Sequence, residues 1–278
     1  MSITKNILIT GVSSGFGRAL AMEALSEGYC VIGTVRNDQA AEEFSALHPT
    51  RAITRILDVT HFAHIDETIA EIEDTVGAID VLVNNAGYGH EGVFEESPLE
   101  EMRRQFDVNV FGAVAVTKAV VPFMRQRRQG HIINITSMGG LITMPGIAYY
   151  CGSKFALEGI SEVLNKELAP FNIFVTAVEP GSFRTDWAGR SMVRSPRSLT
   201  DYDALFDPIR QAREAKSGKQ LGDPQKAARA MLTLIASPNP PAHLLLGSDA
   251  LQLVRQKIAS WSQEIDQWEA LTRSTDGE

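Results

Sequence analysis

Cysteine is scarce in this chain: two in 278 residues, Cys30 and Cys151. Two such thiols give neither a disulfide framework nor a metal-ligand spacing, and they fit a reducing compartment. No cluster of His, Cys and carboxylate residues marks a metal site, so no metal is expected. A basic excess is also missing, because 26 Lys and Arg stand against 34 Asp and Glu, a net charge of −8. That balance argues against a nucleic-acid partner, which needs a concentrated cationic footprint; a local pocket can still oppose the global sign and take an anionic small ligand. No apolar run approaches the ~20 residues that cross a bilayer. The opening MSITKNILIT lacks the apolar core and cleavage site of a secretory leader. Internal repeats, low-complexity blocks and linkers are lacking too. A cytoplasmic protein of one domain over residues 1–278, with no membrane partner, is expected.

What the chain does have is apolar bulk, 44% of its residues, arranged in alternating runs. Short β-type stretches at 6–10, 30–35, 52–59, 79–85, 130–137 and 173–180 are separated by helical patterns at 16–27, 38–47, 65–76, 98–125 and 149–168. Continuous apolar strands between amphipathic helices predict a parallel sheet covered on both faces. Right-handed crossovers then give an α/β fold, a three-layer doubly wound parallel sheet of Rossmann type. Ligands bind beyond the carboxyl ends of such strands, and Gly11, Asn85, Ser137 and Gly181 each follow one. After Gly181 the alternation pauses. Residues 182–222 read as a long substrate loop, 223–237 as a helix and 243–247 as a seventh strand. A helical extension covers about 248–272, and 273–278 form a polar tail.

TGVSSGFG, Thr10 to Gly17, closes the first strand and opens the first helix. Its glycines let backbone approach a ligand closely, and the helix N-terminus suits a pyrophosphate. The spacing is G-x-x-x-G-x-G rather than the commoner dinucleotide pattern. At the tip of the second strand the chain reads Val35 then Arg36, with no carboxylate until Asp38. A guanidinium there grips a 2′-phosphate, which favours NADP(H); Asp38 leaves NAD(H) open.

In YYCGSK, Tyr150 and Lys154 stand at i and i+4 on one helical face. The ammonium is expected to lower the phenol's pKa, bringing it toward the range useful for general acid–base catalysis. Tyr149, one position round the helix, is the poorer partner for Lys154. Ser137 ends the fifth strand at the same rim, where its hydroxyl can hold a substrate oxygen.

Thr10-Gly11-x-x-x-Gly15-x-Gly17, Asp58, Asn84-Asn85-Ala86-Gly87, Asn109, Ser137, Tyr150-x-x-x-Lys154 and Pro180-Gly181, in this order over Lys5 to Thr185, resemble the motif series of the short-chain dehydrogenase/reductase family. The resemblance implies a nicotinamide-dependent enzyme acting on an alcohol/carbonyl pair. By matching position, Tyr150 would be the general acid or base, Lys154 would hold the nicotinamide ribose and Ser137 would orient the reacting oxygen. Asn109 would keep a water in a relay through Lys154. Ser13, Ser14 and Phe16 would join Gly11, Gly15 and Gly17 against the cofactor. Arg36, Asp58 and Val59 would lie at its adenosine end, with Asn85, Ala86, Gly87, Pro180, Gly181 and Thr185 along the rest. The family also implies a homo-oligomer, dimer or tetramer, through the helices at 98–125 and 149–168.

Substrate choice is expected from 139–147, from the segment after Gly181 and from the C-terminal helix. Met192, Val193, Leu199, Tyr202, Leu205 and Phe206 suggest an apolar lid and a fairly apolar substrate. Arg184, Arg190, Arg194 and Arg197 offer the alternatives of an acid-seeking patch or a solvated face.

Overall fold

A computed structural model of the chain describes residues 5–189 and 191–277; Arg190 lies outside the described residues. The strands are β1 (Asn6–Ile9), β2 (Cys30–Val35), β3 (Ala52–Ile56), β4 (Val81–Asn84), β5 (Gly89–Glu91), β6 (Gly130–Ile135), β7 (Ile173–Pro180), β8 (Met192–Arg194) and β9 (His243–Leu246). The α-helices are α1 (Gly15–Ser26), α2 (Asp38–Ser45), α3 (Ile65–Thr75), α4 (Leu99–Phe106), α5 (Ala113–Arg127), α6 (Ala148–Leu168), α7 (Asp203–Lys216), α8 (Pro224–Ala236) and α9 (Ser248–Arg273).

Alternation along β1 explains the layers. Successive strand side chains point to opposite faces. Ile7 and Ile9 therefore join the core beneath α1 and α8, with Leu20, Ala24 and Met231. Leu8 joins the other core, beneath α3 and α5, with Ile69, Val116 and Val120. Ile7, Leu8 and Ile9 have no exposed surface, and burial of each contributes on the order of 2 kcal/mol. Seven strands pair in parallel in the order β3-β2-β1-β4-β6-β7-β9. This is the expected doubly wound sheet. β1 lies between β2 and β4, so the chain reverses direction across the sheet there. A crevice opens beyond the carboxyl ends at that switch point.

Three expectations need correction. Residues 182–222 are not one loop: they contain β8, which pairs in parallel with β5, and the 14-residue α7. α7 carries Pro208 and many charges, and Phe206 is its one buried residue, so the sequence gives little helical signal. The helix expected at 98–125 is interrupted by a π-helical stretch, Asp107–Gly112, between α4 and α5. Finally, the helical run Leu99–Arg127 is, by length and composition, long and apolar enough to cross a membrane. In this fold it covers the sheet, with Val116, Val120 and Met124 fully buried.

Candidate active site

The glycine loop is shaped by close approach. Gly11 has φ +73°, and a Cβ there would lie 3.2 Å from Ala86 Cα. A Cβ on Gly17 would lie 2.3 Å from the Gly11 carbonyl oxygen and 2.4 Å from Asn85 Nδ2. Asn85 fills that space to donate to the carbonyls of Thr10 and Gly11, both at 2.9 Å. Thr10 Oγ1 accepts in turn from the amides of Asn85 and Ala86, both at 3.0 Å. Ser14 caps α1 without a side-chain bond, and no acid occupies the first turn. The free N–H groups and positive dipole end of α1 are therefore left for an anion. Gly11, Ser13, Ser14, Gly15, Phe16, Asn85, Ala86 and Gly87 line one cleft of about 1,510 Å³, whereas Gly17 lies behind the lining.

At the far end of this cleft stand Arg36, Asp58 and Val59. Arg36 makes no hydrogen bond or ion pair to a described residue. Asp58 Oδ1 accepts from Thr60 N at 2.9 Å and Thr60 Oγ1 at 2.8 Å. Burial alone would raise the Asp58 carboxyl, but Thr60, His61 and Arg36 outweigh it, so its pKa is lowered. Asp58 thus caps a turn as well as lining the cleft. Asp38 sits in the first turn of α2, outside the lining.

The other end gathers Ser137, Tyr150, Lys154, Pro180, Gly181 and Thr185. The two adjacent tyrosines separate cleanly. Tyr149 Oη donates to the Ser97 carbonyl at 2.6 Å and its ring packs 4.8 Å from His90, away from the cleft that Tyr150 lines. Ser137 Oγ accepts from Gly139 N at 2.9 Å, which fixes the hydroxyl where β6 ends. Lys154 Nζ donates to the Ile135 carbonyl at 2.8 Å and lies 5.8 Å from the Tyr150 ring centroid.

The expected direction of the Tyr150 shift is reversed. Burial pushes Tyr150 up to about 12, against weaker opposing pulls from Ser137 and Trp187. Burial also brings Lys154 down to about 8, although Glu158 pulls it up. Loss of water penalises both charged forms, and that cost exceeds the stabilisation that i, i+4 spacing suggests. The resting pair is a neutral phenol beside an ammonium, so the proton sits on the oxygen that faces the cleft.

Asn109 is held by bonds within the chain. Its Oδ1 accepts from Tyr88 N, and its Nδ2 donates to the Tyr88 carbonyl and to Ser153 Oγ, each at 3.1 Å. Ser153 Oγ donates to the Tyr150 carbonyl at 2.8 Å. The side chain braces the Tyr150 turn against the loop after β4, and no bond runs from it to Lys154.

Sequence reasoning missed Trp187, whose ring lies 5.0 Å from Tyr150. Its Nε1 is buried without a hydrogen-bond partner, so its pull on Tyr150 is that of an N–H dipole rather than a bond of ordinary geometry. Its one signal was position, two residues after Thr185. With Met144, Ile147, Val193, Ile209 and Ala212 it gives this end of the cleft an apolar wall, bordered by Arg213, Lys216 and Lys219. Of the expected lid only Val193 lines the cleft. Met192 packs against Gly89, Phe206 against Gly146, Tyr202 Oη donates to Glu95 and Leu205 faces solvent. Three of the four arginines are structural: Arg197 pairs with Glu96, Asp203 and Asp207, Arg184 with Asp223 and Arg194 with Glu91.

The fold also assembles a cluster that the spacing hid. Glu158, Glu179 and His243 bring ligand atoms within 4.8 Å of one another. His243 Nδ1 lies 2.7 Å from Glu179 and 3.6 Å from Glu158, the geometry of an ion pair. Burial, helped by the charge of Glu179, pushes Glu158 up to about 7. Burial pulls His243 down, but the three nearby glutamates outweigh it and its pKa is raised.

Comparison with known proteins places this geometry. The short chain dehydrogenase family matches residues 5–193. The chain is 35% identical over 271 residues to "Oxidoreductase BOA17" of Botryotinia fuckeliana, covering 97% of this chain and 98% of that one. It is 36% identical over 257 residues to a 3-ketodihydrosphingosine reductase of Bacteroides thetaiotaomicron, covering 92% of each. A short-chain dehydrogenase structure from Streptomyces avermitilis superposes with a TM-score of 0.92 at 40% identity, covering 99% of this chain and 100% of that one. ElxO, solved with NADP bound, gives 0.75 at 26% identity, covering 90% of this chain and 100% of that one. A Burkholderia phymatum structure with NAD, at 22% identity, a TM-score of 0.82 and 94% and 95% coverage, shares the fold. The chain belongs to the short-chain dehydrogenase family. It is an NAD(P)-dependent oxidoreductase acting on CH–OH groups.

Proposed function

We propose that the chain is an NADP(H)-dependent enzyme interconverting a ketone or aldehyde and its alcohol on a fairly apolar substrate, with Tyr150 as acid and base. The observation that carries this is Tyr150 itself: a protonated phenol lining the cleft beside Ser137 and Lys154, where the sheet's carboxyl edge meets an apolar wall.

The residues fit a dinucleotide. The loop has no side chain where a Cβ would collide, the first turn of α1 has no competing acid, and Arg36 has no hydrogen-bond or ion-pair partner among the described residues at the end where a ribose phosphate would lie. When bound, the nicotinamide supplies or accepts the hydride. The chain's own residues handle position and proton. Ser137 Oγ and Tyr150 Oη hold the substrate oxygen. In reduction Tyr150 gives that oxygen its proton, and the neighbouring Lys154 ammonium stabilises the phenolate left behind. Trp187 and Met144 keep water from the reacting carbon. In the oxidative direction the phenolate takes the proton back.

The preference for NADP(H) rests on Arg36, and the apolar substrate on the wall around Trp187. One relative bears the name of a reductase of a keto compound, 3-ketodihydrosphingosine, which agrees with that wall. The same proposal includes a cytoplasmic setting and a homo-oligomer, dimer first. It would form through the outer faces of the α4–α5 run and α6, where Phe111, Phe155 and Val163 stand exposed.

Following nicotinamide absorbance over ketones and aldehydes of increasing chain length, with both cofactors, tests it. Rates should rise with chain length. Arg36→Ala should weaken NADPH binding by roughly 10- to 100-fold, the value of a charge-assisted bond, and leave NADH nearly unchanged. Equal losses for the two cofactors would remove the phosphate argument.

A further inference from the structure

α9 is held to the body only at its root. Ala250 and Val254 are its buried residues, packed with Met138 and Ile142. From residue 255 onward every described position is exposed. Yet that exposed length is not polar. Ile258, Trp261, Ile265 and Trp268 are each more than half exposed, and two of the chain's three tryptophans are among them.

The apolar positions recur with a fixed period. Leu251, Val254, Ile258, Trp261, Ile265 and Trp268 follow one another at steps of three, four, three, four and three. A 3.5-residue repeat is the seam of a left-handed coiled coil, with these residues at a and d. A helix meant only to cover a globular core carries a wider stripe and buries it against that core. Val254 meets the body, but from Ile258 outward the seam has no covering element among the described residues.

Charge on the flanks chooses the partner. Beyond Asp249 at its root, the half nearer the body carries Arg255 and Lys257, and the outer half Glu264, Asp266 and Glu269, with Arg273 at its end pairing with Glu269 at 2.6 Å and leaving that half net acidic. Two copies aligned in parallel would set Glu264 against the partner's Glu269, a like-charge clash between flanking positions. Two antiparallel copies set the basic turn of each helix against the acidic turns of the other, and the two-fold axis repeats the match. A membrane-lying helix concentrates Lys and Arg on its polar face, which the acidic outer half does not. Half-exposed side chains of this size, four from each helix plus the flanks, would bury on the order of 1,000 Å² in total, the lower bound of a specific interface.

We propose that α9 pairs with α9 of a second copy of this chain as an antiparallel two-stranded coiled coil. The pairing stands apart from the outer faces of α5 and α6, so it adds a step of assembly whether or not those faces also join copies.

Light scattering after gel filtration tests it. The variant Ile258→Glu/Trp261→Glu alters only exposed residues, so the body should fold and bind cofactor as before while the particle mass halves. Arg255→Glu/Lys257→Glu should also halve the mass, and adding Glu264→Lys/Glu269→Lys should restore it. An unchanged mass in the first variant overturns the proposal. So does failure of the fourfold variant to recover mass. Sedimentation of the wild-type protein with phosphatidylcholine/phosphatidylserine vesicles, lost in Ile258→Glu/Trp261→Glu without a change in mass, would assign the seam to a membrane instead.

Discussion

Replacing Gly17 by alanine adds one methyl group at the tightest point of the cofactor loop. The new Cβ would stand 2.3 Å from the Gly11 carbonyl oxygen and 2.4 Å from Asn85 Nδ2. One neighbour is backbone, and the other makes two hydrogen bonds that hold the loop. Overpacking of this kind costs about 1–3 kcal/mol, and displacing Asn85 adds about 1 kcal/mol for each bond lost. A total of about 3–5 kcal/mol lowers the melting temperature by roughly 6–20 °C in a chain of this size. Because the Gly11 carbonyl and Asn85 also shape the cleft, cofactor affinity should fall at least about tenfold, a loss of ~1.4 kcal/mol. Gly159 is the internal control. It lies exposed within α6, and an added Cβ meets nothing within 4 Å, so Gly159→Ala should raise stability by up to about 1 kcal/mol. Thermal denaturation followed by circular dichroism reads both variants, and titration with NADPH reads affinity. Equal melting temperatures for the two, with unchanged affinity, would refute the packing argument.

Two further predictions concern protons. Glu158 holds its proton in the folded chain up to about pH 7, against an ordinary value of 4.5. The stability it contributes is therefore complete below about pH 4.5 and lost as pH rises through about 7, and His243, also raised, runs the same way. Glu158→Gln should thus gain melting temperature relative to the wild type between about pH 5 and about pH 8, by an amount equivalent to roughly 3 kcal/mol at most. A gain that shrank with pH would contradict the assignment. Trp187→Phe keeps the ring against Tyr150 but removes the indole dipole that favours phenolate. The midpoint of the rise of kcat with pH in alcohol oxidation, where the phenolate is the base, should move upward; an unmoved midpoint would leave Trp187 a packing residue only.

Much of the sheet was legible because β1, β4, β6 and β7 are largely apolar runs followed closely by Gly, Asn or Ser. That Gly11, Asn85, Ser137 and Gly181 line one cleft was legible for the same reason, since each follows a strand. What escaped depended on three-dimensional context. β5 and β8 have three residues each, too few for a period. α7 gains its place from ion pairs such as Arg213 with Glu91 and Arg197 with Asp203 and Asp207, and such pairing has no periodicity to read. The direction of the Tyr150 shift was misjudged because spacing reveals a charged neighbour but not the loss of water around both groups. Trp187 lay in a segment read as loop, so nothing aimed its ring at Tyr150. The seam of α9 is a periodic signal, and the structure adds that no described residue covers it from Ile258 outward.

The most direct test of the central claim compares two single-atom deletions one residue apart. Tyr150→Phe removes the hydroxyl that lines the cleft, whereas Tyr149→Phe removes one that bonds to the Ser97 carbonyl. Turnover measured by nicotinamide absorbance should fall by about 10²- to 10⁴-fold in Tyr150→Phe, with cofactor affinity retained. Tyr149→Phe should lose about 1 kcal/mol of stability and keep its rate. Undiminished turnover in Tyr150→Phe would contradict the account.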